Sequence, residues 1–106
     1  ESKDFIDLSR IYWRHVLKDI VSMLLNKLTI PVIVLFGSLS KAEVKSDSDI
    51  DLAIFSQKKE LDLREFERKT KRKIQIFWFE SLSDIENREL ANNIITGYIL
   101  HGRLEL

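Results

Sequence analysis

The chain contains no cysteine, so disulfides, thiolate metal sites and cysteine nucleophiles are excluded, and its redox compartment leaves no mark on it. It has one proline and three glycines, which leaves little material for a structureless linker and makes those residues markers of chain turns. Net charge is missing as well. The 17 lysines and arginines balance 17 aspartates and glutamates, so no overall field attracts nucleic acid and any such contact has to be local. No apolar run reaches the length of a membrane span and no signal-peptide pattern is present, which sets the expectation of a cytoplasmic protein without a membrane partner. Repeats and low-complexity tracts are absent too. At 106 residues the expectation is one domain over 1–106, long enough to bury a core. Charged residues make up 32% of the chain beside one methionine, a balance that leans toward heat-stable proteins.

What is present centres on the stretch VIVLFGSLSKAEVKSDSDIDLAIF. Two apolar, β-rich runs, Val32 to Phe36 and Ile50 to Phe55, flank a polar connection that opens with Gly37-Ser38 and closes with Ser48-Asp49-Ile50-Asp51. This pattern predicts strand, turn, short helix, strand. Side chains alternate across a strand, so Asp49, Asp51 and Ala53 should share one face while Ile50, Leu52 and Ile54 take the other. Two adjacent carboxylates at the head of a buried strand repel each other unless water or a cation screens them, and a divalent ion held by oxygen ligands is the usual remedy. The pair reads as a magnesium site. Gly37 permits a tight turn and close backbone approach, and Ser38 offers a hydroxyl and an N–H at a helix N-terminus, which suits an anion. Lys41 stands where it could add positive charge, with a solvated surface lysine as the equal alternative.

A solvated acidic turn formed by Asp47, Asp49 and Asp51 is the competing account of the acids. A calcium-binding EF-hand loop is rejected, because the places that need glycine and glutamate hold Leu52 and Lys58.

Elsewhere, apolar residues from Phe5 to Leu28 recur at three- and four-residue intervals and predict a long amphipathic helix, stopped by Thr29-Ile30-Pro31. Val32 to Phe36, apolar on both faces, predicts a central strand. Leu61, Leu63 and Phe66 mark a modest helix within a charged segment. Its basic cluster, Arg64, Arg68, Lys69, Lys71, Arg72 and Lys73, is interleaved with glutamates and reads first as a solvated face and second as an RNA contact. Ile74 to Phe79 predicts a third strand, Ser81 or Ser83 a cap for a helix running to about Ile95, Gly97 its terminator, and Tyr98 to Leu100 a short edge strand. His15 and His101 have no motif around them.

Gly37-Ser38 followed at a distance by Ser48-Asp49-Ile50-Asp51-Leu52, between two apolar strands, resembles the signature of the minimal nucleotidyltransferases of the DNA polymerase beta superfamily. The resemblance implies a mixed α/β nucleotidyltransferase fold, a small sheet of three to four strands packed with about four helices. It implies that Asp49 and Asp51 are catalytic and hold Mg2+, that Gly37 and Ser38, with Lys41 and Ser48, bind phosphates, and that the substrate is ATP or another nucleoside triphosphate. The implied reaction moves a nucleoside monophosphate, AMP from ATP, onto a protein or RNA hydroxyl. Relatives commonly add a third carboxylate on the neighbouring strand. Here that strand offers Gln75, with Glu80 only beyond its end on the opposite face. A catalytically reduced module that binds nucleotide or protein is therefore the alternative. Minimal proteins of this kind resemble the antitoxin half of pairs with a HEPN-domain ribonuclease, which implies a protein partner of that type or a homo-oligomer.

Overall fold

The computed structural model describes residues 11–37 and 49–104. Trp13, Leu17, Ile20, Leu24 and Leu28, spaced to fall on one side of a helix, are all buried. Helical residues 11–16 lead through Leu17 into α1 (Lys18–Lys27), and the backbone bonds from Leu17 N to Trp13 O (2.8 Å) and from Val21 N to Leu17 O (3.0 Å) carry the ladder across the junction. The part of the expected helix before residue 11 lies outside the described residues. Leu28 ends α1 in an extended conformation, and Pro31 follows.

Between them Ile30 adopts φ +44° with 86% of its surface exposed. A β-branched residue in the left-handed region is strained, and this one recovers nothing by burial. Ile30→Asn should therefore raise stability by about 1 kcal/mol, read as a higher urea midpoint, because asparagine tolerates this conformation.

Four strands follow: β1 (Val32–Phe36), β2 (Ile50–Phe55), β3 (Ile74–Phe79) and β4 (Tyr98–His101). They lie in the order β3-β2-β1-β4, with β1 antiparallel to both neighbours and β2 parallel to β3. The interior position of β1 agrees with its apolar character on both faces. Parallel pairing of β2 and β3 requires a crossover, supplied by the segment containing α2 (Arg64–Thr70). Leu61, Leu63 and Phe66 of that segment pack on the same side of the sheet as α1.

Strand alternation divides the core as expected. Ile50, Leu52 and Ile54 join Ile33, Leu35 and the α1 face, while Ala53 lies with Val34, Phe36, Ile85 and Ile94 on the other side. The sheet is thus the middle layer, with α1 on one face and α3 (Arg88–Ile95) on the other.

The helix expected to run from Ser81 or Ser83 to Ile95 is in fact divided. Ser81 and Asp84 form a capping box around a single 3-10 turn, Leu82–Asp84, and the chain then extends so that Ile85 enters the core. Asn87 restarts the helix, its side-chain oxygen accepting from Leu90 N at 3.0 Å. Sequence periodicity passes over such a break because serine, aspartate and asparagine cap as readily as they interrupt. Asn87→Ala should cost about 1 kcal/mol in a denaturant titration.

Gly97 does follow the helix end, but the reason differs from the expected one. It is not in the left-handed region. A Cβ there would stand 2.6 Å from Leu35 O and 2.9 Å from Val34 Cγ1, so the glycine permits close approach of the α3–β4 junction to β1.

Several members of the basic cluster have partners within the chain. Arg64 pairs with Asp62 at 2.9 Å, Lys69 with Glu65 at 3.9 Å, and the Arg72 guanidinium lies 5.2 Å from the Trp13 ring centroid. The Arg64 hydrogen bonds hold the Asp62 carboxyl down to about 2. Glu67 Oε2 accepts from Ile74 N at 2.8 Å, covering a backbone donor where edge strand β3 begins. Among the described residues no helix is long and apolar enough to cross a membrane.

Candidate active site

β1 runs opposite to β2 and β3, so the C-terminal end of β1 meets the N-terminal ends of the other two at one end of the sheet. Register makes this concrete: Phe36 pairs with Asp51, and Asp51 pairs with Gln75. Gly37, Asp49, Asp51 and Gln75 are thereby gathered at a single place, although they are far apart in sequence.

Gly37 has φ +77°, and a Cβ built on it would stand 2.6 Å from Asp51 Oδ2. Two reasons favour glycine here: side-chain-bearing residues rarely adopt this backbone region, and an added Cβ would press on the tip of the Asp51 carboxylate, which would have to swing aside. The backbone at Gly37 thus lies close to the Asp51 side chain.

Asp49 and Asp51 are both half-buried. Burial, and after it the charge of Asp49, raises the pKa of Asp51 above its ordinary value. The two carboxylates therefore stand close enough to repel. Asp49 Oδ2 accepts a hydrogen bond from Gln75 Nε2 at 2.9 Å. That contact was not anticipated from the sequence, where Gln75 stood out only as a neutral residue in place of an acid. Parallel pairing of β2 with β3 carries the missing information, since it sets residues 51 and 75 side by side.

Glu80 is the next acid along β3, five residues beyond Gln75, so it lies roughly 16 Å away along the strand. There it lines a hollow with Val32, Phe55, Ser81, Leu82 and Arg103, at the opposite end of the sheet. The structure excludes it from this cluster. Ser38, Lys41 and Ser48 lie outside the described residues, as do the short helix expected over 38–44 and the loop over 45–48. His15 is exposed, and His101 Nδ1 bonds Pro31 O at 3.0 Å, remote from the carboxylates.

The donor chemistry suits a hard divalent cation. Two neighbouring carboxylates, both half-buried, supply oxygen ligands and the negative charge such an ion needs. Among the described residues no group of three or more His, Cys, Asp or Glu side chains could hold a metal. Magnesium is commonly held by one or two carboxylates, with water and substrate phosphates completing its shell.

The raised Asp51 pKa fixes the sign of a pH effect. Since the folded state holds the Asp51 proton more tightly than the unfolded chain, this group's contribution to stability is full below the ordinary carboxylate value, near 3.8, and is lost as pH rises through the raised value. In metal-free protein, unfolding midpoints measured upward from that range should contain a declining component that Asp51→Asn removes.

The family model described as "Polymerase beta, Nucleotidyltransferase" matches residues 18–104, which include the four described strands and both Asp49 and Asp51. No curated protein and no solved structure matches the chain.

Proposed function

The chain belongs to the polymerase beta nucleotidyltransferase family, and from that premise we propose that it transfers a nucleoside monophosphate, AMP from ATP, to a hydroxyl group of a protein or RNA. In this reaction the acceptor oxygen forms a bond to the α-phosphorus, the bond from that phosphorus to the α–β bridging oxygen breaks, pyrophosphate leaves, and the hydroxyl proton passes to solvent. Asp49 and Asp51 are the residues that would hold the Mg2+ accompanying the triphosphate. Gly37 brings the backbone close to Asp51, and Ser38, Lys41 and Ser48, which lie outside the described residues, are the proposed phosphate contacts. Bound there, magnesium would offset the charge that builds up on the phosphates. The remaining work is positioning: a carboxylate pair at the head of a buried strand would place the cation, and through it the reacting phosphate, beside the acceptor.

The observation that carries this proposal is the fit of Gly37 against the Asp51 carboxylate, 2.6 Å from a virtual Cβ, in a chain of this family. Incubation with Mg2+, an RNA pool and a protein extract as acceptors, and ATP labelled at either the α- or the γ-phosphate tests it. Label from the α-phosphate should enter macromolecules while γ-label does not. Incorporation no greater than background with each of the nucleoside triphosphates would contradict it.

A second account is favoured by Gln75, a neutral side chain with no proton-accepting strength, already bonded to Asp49. On it the domain binds nucleotide and masks a protein partner, such as a HEPN-type ribonuclease, without turnover. Neutralisation of that partner by an Asp49→Asn, Asp51→Asn variant would favour binding over transfer.

A further inference from the structure

Resting on the nucleotidyltransferase proposal above, we infer that Gln75 makes this a site for a single divalent cation and acts as the positioning residue that orients Asp49 toward it. The side chain lies at the register partner of Asp51 and donates from Nε2 to Asp49 Oδ2 at 2.9 Å, so it bridges diagonally from β3 to the carboxylate pair. Two consequences follow from the chemistry of an amide.

The first concerns orientation. A carboxylate at the mouth of a strand rotates freely unless something holds it, and a hydrogen bond from outside the ligand set fixes which oxygen faces the ion. With Oδ2 turned to Gln75, Asp49 Oδ1 would be the oxygen left for a cation held beside Asp51. The second concerns number. The carboxylate pair supplies the protein ligands for one divalent ion, whose shell water and substrate phosphates would complete. A second ion would need a further protein carboxylate at the β3 side, and there the chain places a neutral amide whose N–H is committed to Asp49 Oδ2 and whose oxygen is a weak ligand.

No other described acid takes that place. Glu67 is bonded to Ile74 N, and Glu80 lies at the far end of β3. Among the described residues no third metal-binding side chain joins the pair.

The test counts ions. Titration of the full chain with Mn2+, followed by electron paramagnetic resonance in the presence of one equivalent of a non-hydrolysable ATP analogue, should give one ion per chain with the spectrum of an isolated centre. Gln75→Glu should bind two, with the spin coupling of neighbouring ions. Gln75→Leu, which removes the donor without adding charge, should still bind one, but about tenfold more weakly or worse. Two ions in the wild type would overturn the inference and leave the transfer proposal standing. One ion in Gln75→Glu, or unchanged affinity in Gln75→Leu, would also overturn it. No bound ion in the wild type would remove the transfer proposal itself, and the inference with it.

Discussion

An Asp49→Asn, Asp51→Asn double variant is expected to lose about a hundredfold or more of α-phosphate transfer while melting no lower than the wild type in metal-free buffer. The substitutions keep the shape of both side chains and remove both charges. Asparagine at position 49 can still present an oxygen to Gln75 Nε2, so the link between β2 and β3 survives. What is lost is the anionic pair. A neutral amide oxygen is a weak ligand for magnesium, so phosphate charge would go uncompensated where the reaction needs compensation most. Stability should move the other way, because burial and the Asp49 charge both disfavour ionised Asp51, and the variant is relieved of both. The thermal shift on adding Mg2+ and ATP, expected in the wild type because a ligand of the native state stabilises it, should shrink in the variant. Loss of activity together with a lower melting temperature would instead indicate that the acids support the fold.

The second large effect is expected from Gly37→Ala. Its methyl group would meet Asp51 Oδ2 at 2.6 Å, and the φ of +77° adds a strain of about 1–2 kcal/mol that does not depend on space. Either the turn lifts or the carboxylate swings away. A displacement on the order of 1 Å at reacting groups costs about a hundredfold in rate. Gly102→Ala is the matched control: φ is +86°, and the added Cβ would meet Val32 Cγ2 at 2.9 Å, at the other end of the sheet from the acids. Both variants should lose stability, as read by denaturant titration. Only Gly37→Ala should lose transfer in proportion far beyond its unfolded fraction. Equal activities at a temperature where both are folded would show that the turn does not position Asp51.

Much of the fold was legible because its strands are short, strongly patterned and bounded. Val32 to Phe36, Ile50 to Phe55 and Ile74 to Phe79 emerge from apolar and β-branched content alone, and the residues observed in each strand are those expected. The α1 face was equally plain from its spacing. The break at Asn87 was not, because a cap in mid-segment looks like one more polar residue on an exposed face. Gly97 was placed at the right boundary for the wrong cause, since a clash with the Leu35 carbonyl is a property of the folded neighbourhood and not of the local chain.

The same distinction runs through the candidate site. Asp51 lies on β2 and Asp49 one residue before its start, so a sequence spacing of two with strand alternation suffices to suggest one shared face. The Gln75 contact and the remoteness of Glu80 depend on which strands pair, and in which direction. Nothing local to residues 74–80 specifies a parallel register with residues 50–55.

A crystal of the protein soaked with Mn2+ and a non-hydrolysable ATP analogue, measured at the manganese edge, would bear most directly on the central claim. The anomalous peak should lie between the Asp49 and Asp51 carboxylates, with the triphosphate reaching it across Gly37. A peak elsewhere, or a nucleotide bound away from that turn, would contradict the account.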